Sequence, residues 1–401
     1  MSKEYTKISF TGDIMCESVQ IAEHQMKDGK YDFLNIFSDV KRYFDNSDYV
    51  VSNLETPIAG KKLGYGNKRY SFNTPEEYLE SIKYMGVNLV STANNHCLDR
   101  GVEGLKNTIH ALDRYGIKHI GTYIDKNKGF IEEINGIKVG FLSYTYGTNA
   151  FVNSNYLKKE EKHMVNLFQN QELGNKFVRA CYQNPYKFYS RLYRGIGRIF
   201  YPEQLKRQVY ERKENCKTYL KLMKKEINLL KRNGAEYIIM CAHMGGQYNL
   251  APSDQTKKLV DKIISYGVDA VIGNHEHVIH NCDLSNIKDG IIKTYSLGNF
   301  SGLAGVLKEP YDKLSEYSII FNIYISKENG TVKVEKVSFA IAKSVKNGEN
   351  KIKTVLLYDL IQEARDEEKE KLLADNLRIY NLFLNKNEKN IEVEKEYYIN
   401  N

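Results

Sequence analysis

The chain has 401 residues, 42% hydrophobic and 27% charged, with a formal net charge of +8 at pH 7. That length suits one large α/β domain with appendages, or two domains of ordinary size, and no window approaches the roughly 18 to 20 apolar residues of a membrane helix. Six scattered cysteines without a C-x-x-C pair exclude a zinc ribbon and read as reduced thiols rather than a disulfide framework.

The N-terminus runs from lysines straight into a strand, with no apolar signal region and no cleavage site. The chain is therefore expected to be cytoplasmic, membrane-associated at most, or to have lost an anchor. Over residues 1–150, short apolar strands alternate with amphipathic helices. "KISFTGDIM" reads as a strand, "YDFLNIFSDVKRYFDNS" as a helix and "DYVVSNLE" as a strand. "TPEEYLESIKYMG" reads as a helix capped by Thr74 with Pro75 in its first turn. The strand "VNLVSTANN", the helix "VEGLKNTIHALDRYG" and the strand "IKHIGTYI" follow. A hairpin, "FIEEINGIKVGFLSYTY", turns at Asn135-Gly136. This order predicts parallel βαβ units followed by antiparallel strands.

Residues 151–232 break the rhythm. From Lys158 to Arg232 there are 19 Lys and Arg against 7 Asp and Glu, a net +12, so the rest of the chain carries −4. This segment reads as a basic, mostly helical insertion. The β pattern resumes over 233–310 with "AEYIIMCAHMGG", the helix "SDQTKKLVDKIISYG", "VDAVIGNHEHVIH" and "GIIKTYSLGNF". Over 311–401 a strand unit, "YSIIFNIYISKENGTVKVEKVSFAIA", precedes a charged helix near 355–385.

The strong apolar strands share one feature: each stops at a residue able to bind a metal. The tips are Asp13; Asn53 and Glu55; Asn94, Asn95 and His96; His243; and His275 with His277. Taken singly, Asp13 reads as a turn or cap residue, Glu55 as a solvated loop charge and His243 as a core histidine. Taken together, five strand ends would point at one place, because open α/β sheets bind ligands at the carboxyl ends of their strands. His275 and His277 alternate along an extended segment and would face the same way. Carboxylate, amide oxygen and imidazole together suit one or two borderline divalent ions such as Mn, Zn or Fe.

The blocks "FTGDIM", "DYVVSNLETPIA", "STANNHCLDRGVEGL", "CAHMGGQYNLAPS", "VIGNHEHVIH" and "YSLGNF" resemble, in order, those of the bacterial capsule-synthesis protein CapA family. That is the poly-gamma-glutamate capsule group, a branch similar to the calcineurin-like metallophosphoesterases. The resemblance implies an αββα sandwich, two β-sheets flanked by helices. It makes Asp13 a metal ligand, Glu55 the bridging carboxylate, Asn95 the amide ligand, and His243, His275 and His277 the histidine ligands. It also implies that His96 contacts substrate or protonates the leaving group, with Asp99 orienting it. Met15 stands where the phosphoesterases have a ligand histidine, a loss that the family generally shows, and Met244, Gln247 and Glu276 replace the family's usual tryptophan, acid and proline.

The function this implies is a metal-dependent hydrolase acting on a phosphoester or amide of an acidic substrate, linked to capsule or poly-gamma-glutamate synthesis. The alternative is a non-hydrolytic accessory subunit of polymer synthesis or export that binds an anionic polymer, a reading favoured by Met15. The basic insertion points to an anionic polymer or a membrane surface as partner. No nucleic-acid motif accompanies the charge, so nucleic acid is not expected as a partner.

Overall fold

In the computed structural model, residues 5–66, 71–125, 129–171, 213–302, 313–349 and 351–400 are described, with short helical pieces at 191–192, 195–196 and 199–200. Fifteen strands run along the described chain. The first half supplies β1 (Thr6–Ile14), β2 (Tyr49–Leu54), β3 (Leu89–Ser91), β4 (Lys118–Ile120), β5 (Phe130–Ile134) and β6 (Ile137–Thr145). After the insertion come β7 (Tyr237–His243), β8 (Ala270–Asn274), β9 (Cys282–Asp283), β10 (Ile292–Thr294) and β11 (Asn299–Ser301). The last strands are β12 (Tyr317–Glu328), β13 (Thr331–Lys346), β14 (Ile352–Leu356) and β15 (Tyr397–Asn400).

They form two sheets. The first has the order β14-β13-β12-β1-β2-β3-β4, with β11 also on β1 and β15 on β13; the second is β5-β6-β7-β8-β10-β9. Within each, a parallel block (β1 to β4; β6, β7, β8 and β10) continues into antiparallel strands. The strand period of two explains the layering. Along β7, Tyr237, Ile239 and Cys241 enter the core between the sheets, whereas Ile238, Met240 and Ala242 pack outward. On that outer side they meet Met223, Ile227 and Leu230 of the helix Lys213–Arg232, and Val260 and Ile263 of the helix Asp254–Ser265. On the first sheet, Tyr49 and Val51 face the inner core, while Val50 packs outward with Leu79 and Ile82 of the helix Tyr78–Met85. A strand buried on both faces needs apolar residues at nearly every position, which is why β7 reads as a continuous apolar run. The four layers are the expected αββα sandwich.

Local details both follow and depart from the sequence reading. Asn135 (φ 50°) and Gly136 (φ 81°) make the β5–β6 turn with both φ values positive, as a two-residue hairpin with this twist requires. Thr74 is not a helix cap. Its hydroxyl pairs with that of Thr56 at 2.7 Å, and the first turn closes instead through Tyr78 N to Pro75 O. The helix expected across 31–47 is a short 3-10 turn, Leu34–Ile36, and the helix Ser38–Phe44. The charged C-terminal helix is two, Leu357–Glu363 and Asp366–Leu384. Much of the basic insertion lies outside the described residues, but its last helix, Lys213–Arg232, is part of the outer layer. Among the described residues, no helix is long and apolar enough to cross a membrane.

Candidate metal centre

The carboxyl ends of the parallel strands lie side by side, and strand register decides which tips meet. β1 pairs with β2 so that Asp13 stands opposite Asn53, and with β11 so that Asp13 also stands opposite Asn299. The register shifts in β1 between Phe10 and Asp13. Gly12 sits in that shift, where a Cβ would lie 2.1 Å from the carbonyl oxygen of Gly298. A glycine is therefore required for the backbone approach that aims Asp13 inward. In the second sheet His243 stands opposite Asn274, and just after β8 the backbone N–H of His275 reaches Asp13 Oδ2 of the first sheet. Gly273 is also sterically required, because a Cβ there would lie 2.1 Å from the carbonyl oxygen of Tyr295.

The histidine pair does not converge by strand alternation. His275 (φ 109°) and His277 (φ 59°) both adopt positive φ, so the extended geometry expected of this segment is replaced by a tight turn. Such conformations cost about 1–3 kcal/mol each in a non-glycine residue and persist only where the surroundings impose them. Here Asp13 Oδ2 accepts from the backbone N–H of His275 at 3.2 Å, and Asn299 Oδ1 lies 2.8 Å from His277 Nδ1.

The resulting cluster is fully buried. His243 Nε2 lies 3.4 Å and His277 Nε2 3.7 Å from Glu55 Oε1, His277 Nδ1 lies 3.3 Å from Asp13 Oδ2, and His243 Nε2 is 2.7 Å from Asn95 Oδ1. Two sets of donor atoms, Glu55-His275-His277 and Asp13-Glu55-His243, each lie within 4.8 Å of one another. All six residues expected as ligands are thus brought together. Atoms bound at about 2.0–2.2 Å around one tetrahedral ion stand roughly 3.3–3.6 Å apart, and the 3.4 Å between His243 Nε2 and Glu55 Oε1 falls in that range.

Electrostatics supports the same fit. Burial, with the nearby Asp13 charge, holds the Glu55 carboxyl well above its ordinary range. Burial pushes His243 down to about 3 and His275 well below its usual value, keeping both imidazoles neutral with lone pairs free to coordinate. Burial alone would raise Asp13, but the hydrogen bond and charge of His277, with smaller contributions from His243 and Asn53, bring it below normal. Both Glu55 carboxylate oxygens and His275 Nδ1 are buried without a hydrogen-bond partner. Buried polar atoms are rarely left so, and these three sit where donors to a cation would point. The residues present therefore fit a divalent metal.

Beside this cluster lies a second unit. His96 Nδ1 is 2.7 Å from Asp99 Oδ2, which also accepts from the N–H of Phe72 at 2.7 Å, while Asn153 Nδ2 donates to Asp99 Oδ1 at 3.3 Å. With Asp99 ionised, the His96 proton sits on Nδ1 and Nε2 is left for other chemistry. The Phe72 ring packs edge-on against the imidazole with centroids 4.4 Å apart. Asn94 faces away from the ligands. Its side chain binds the carbonyl of Leu54 and the N–H of His96, and so holds the turn that presents Asn95.

Several residues escaped the sequence reading. Asn53, noted at a strand tip but given no role, donates to Asp13 Oδ1 at 2.6 Å and accepts from Ser91 Oγ at 2.8 Å. Asn299 fixes the ring of His277, and its only sequence signal was its place in "YSLGNF". Tyr146 packs on His275 with centroids 4.6 Å apart, with no signal at all. Of the departing positions, Met15 is buried, and Gln247 Nε2 lies 3.4 Å from His277 Nε2. Burial pushes the Glu276 carboxyl up to about 8, and its oxygens crowd Gly245, where a Cβ would lie 1.8 Å from Oε1.

Comparison with known proteins agrees with the blocks noted in the sequence. The sequence profile of the family described as bacterial capsule synthesis protein PGA_cap matches residues 7–302. "Capsule biosynthesis protein CapA" of Bacillus anthracis is 25% identical over 312 residues, 76% of this chain and 61% of that protein. The chain thus spans less than two thirds of that relative's length. "PGA biosynthesis protein CapA" of Bacillus subtilis (strain 168) is 24% identical over 366 residues, covering 88% and 78% of the two chains. Among solved structures, the calcineurin-like phosphoesterase YfkN from Bacillus subtilis aligns with a TM-score of 0.45 at 15% identity, over 92% of this chain and 98% of that one.

Proposed function

Since this chain belongs to the bacterial capsule synthesis protein PGA_cap family, we propose that it is a divalent-metal-dependent hydrolase of a phosphoester or amide bond in an acidic substrate of capsule or poly-gamma-glutamate synthesis. The observation that carries this reading is Glu55, a fully buried carboxyl without a hydrogen-bond partner, set among imidazoles that burial keeps neutral. Asp13, Glu55, Asn95, His243, His275 and His277 would hold the ion or ions. When bound, a divalent metal supplies Lewis acidity and a hydroxide nucleophile near neutral pH. Asn53, Asn299 and Tyr146 keep the ligands in place, and the buried setting excludes bulk water. His96 donates a proton from Nε2 to the leaving group, while Asp99 holds Nδ1–H and stabilises the charged ring.

A second reading rests on Met15. A buried thioether stands where the phosphoesterases have a ligand histidine, which favours a centre that binds an anionic polymer without cleaving it. One experiment separates them. The protein is purified without chelator, its metal content measured, and turnover assayed with Mn, Zn or Fe on bis-p-nitrophenyl phosphate and on poly-gamma-glutamate. Metal-dependent turnover lost in His96→Asn, with metal content unchanged, supports the hydrolase. Polymer binding without turnover in every metal supports the accessory role.

A further inference from the structure

β11 opens at Asn299, and the backbone before it is held tightly. Gly298 adopts φ 79°, a Cβ there would lie 2.6 Å from the carbonyl oxygen of Tyr317, and its own carbonyl accepts from the N–H of Asp13 at 2.9 Å. Only a glycine allows both the conformation and the approach. The register then sets Asn299 opposite Asp13. Asn299 is 7% exposed, and its Nδ2 donates to the carbonyl of Ser315 at 3.3 Å. That bond fixes which end of the amide faces the centre, because only the nitrogen can donate to a carbonyl. Oδ1 is left 2.8 Å from His277 Nδ1, which in turn lies 3.3 Å from Asp13 Oδ2.

An amide oxygen and a carboxylate oxygen can only accept, and here both meet the same ring nitrogen in a buried place. With the imidazole proton on Nε2, the atom 3.7 Å from Glu55 Oε1, Nδ1 also presents a lone pair. Three electron-pair donors then converge, and buried groups of that kind need a positive partner between them. Donors bound at about 2.0–2.2 Å stand roughly 2.8–3.1 Å apart at right angles and 3.3–3.6 Å apart in a tetrahedron. The separations of 2.8 Å and 3.3 Å fall in those two ranges. We infer that Asn299, beyond steadying the ring of His277, is itself a metal ligand through Oδ1, sharing one ion with Asp13 Oδ2 and His277 Nδ1. The inference rests on the reading that this centre binds a divalent metal, and it adds a residue to the ligand set. Two oxygens and one nitrogen form a hard donor group, which suits Mn better than a soft ion. With the proton on Nδ1 instead, Asn299 would only accept a hydrogen bond and orient the ring.

The test loads the full chain with Mn. A crystal structure of the loaded wild type, with the ion located by anomalous scattering, should place Asn299 Oδ1 within about 2.5 Å of it. Calorimetric titration of Mn into chelator-treated protein should show Asn299→Ala binding more than about 100-fold more weakly, beyond the roughly 10–100-fold that losing an outer partner costs. Asn299→Asp keeps an oxygen and adds a charge, so it should bind Mn about tenfold more tightly. An ion seated in wild type with Oδ1 farther than about 3 Å away overturns the inference and leaves Asn299 as a positioning residue, even where Asn299→Ala binds weakly. Unchanged Mn affinity in Asn299→Ala overturns it too. If Asn299→Ala fails to fold, the distance in the wild-type crystal decides. Wild type that takes up no divalent metal at all overturns the parent reading along with this one, and metal content distinguishes that case from a failure of Asn299 alone.

Discussion

Replacing Glu55 with glutamine keeps the shape of the side chain and removes its ability to become an anionic ligand, so it should leave the metal-free protein nearly as stable as wild type and remove most of the stabilisation by metal. In chelator-treated protein the carboxyl is buried, has no hydrogen-bond partner and gains no counter-charge from His243, whose imidazole burial keeps neutral. An unsatisfied buried group costs about 1–3 kcal/mol, but burial keeps the Glu55 carboxyl protonated and a glutamine amide needs partners equally, so Glu55→Gln should change apo stability by less than about 1 kcal/mol. With an unfolding entropy near 2.1 cal/mol/K per residue, 401 residues give about 1.2 °C per kcal/mol, so the apo melting temperature should stay within about 1 °C of wild type. With metal at roughly 1,000 times its dissociation constant, binding stabilises wild type by about 4 kcal/mol, or about 5 °C. Losing a direct ligand that weakens affinity about 100-fold leaves roughly 1.4 kcal/mol, or under about 2 °C. Differential scanning fluorimetry in EDTA and in Mn, Zn and Fe reads both changes at once. A variant with an unaltered metal shift would refute the assignment of Glu55 as a cation ligand.

Three further outcomes are expected. Glu276 is raised to about 8 by burial, so the folded state binds its proton more tightly than the unfolded state; its contribution is fully present below about pH 4.5 and is lost as pH rises toward 8. Urea titrations of chelator-treated Glu276→Gln between those values should show a flatter pH dependence than wild type. Asp99→Asn should lower turnover by about 10–100-fold and alter the pH profile of kcat while metal content holds, since the residue orients His96 rather than binding the ion. Gly12→Ala must move the Gly298 carbonyl or the strand, and denaturant unfolding should show a loss of about 3 kcal/mol together with weakened metal binding.

The parts of this protein that depend on neighbours in the chain were legible in its sequence. Apolar runs mark the strands, Asn135-Gly136 marks the hairpin, and the polar residues that end each run mark the rim of the sheets, because strand period, turn conformation and the end of an apolar run are local properties. Thr74 shows the limit even of local signals. It has the right residue type and spacing for a cap, but Thr56, distant in sequence, offers its hydroxyl a partner first. Tertiary structure alone decided which strand tips meet. Asp13 lies beside both Asn53 and Asn299 because β1 takes β2 and β11 as parallel neighbours, and nothing in nine residues of strand says who those neighbours are. The inward and outward faces of β7 were equally silent, since a strand covered on both sides is apolar throughout. The positive φ of His275 and His277 is likewise imposed from outside, by Asp13 and Asn299. Residue types can announce a metal site because coordination chemistry restricts them; the geometry of the site comes from contacts between segments far apart in the chain, which form only when the two sheets pack.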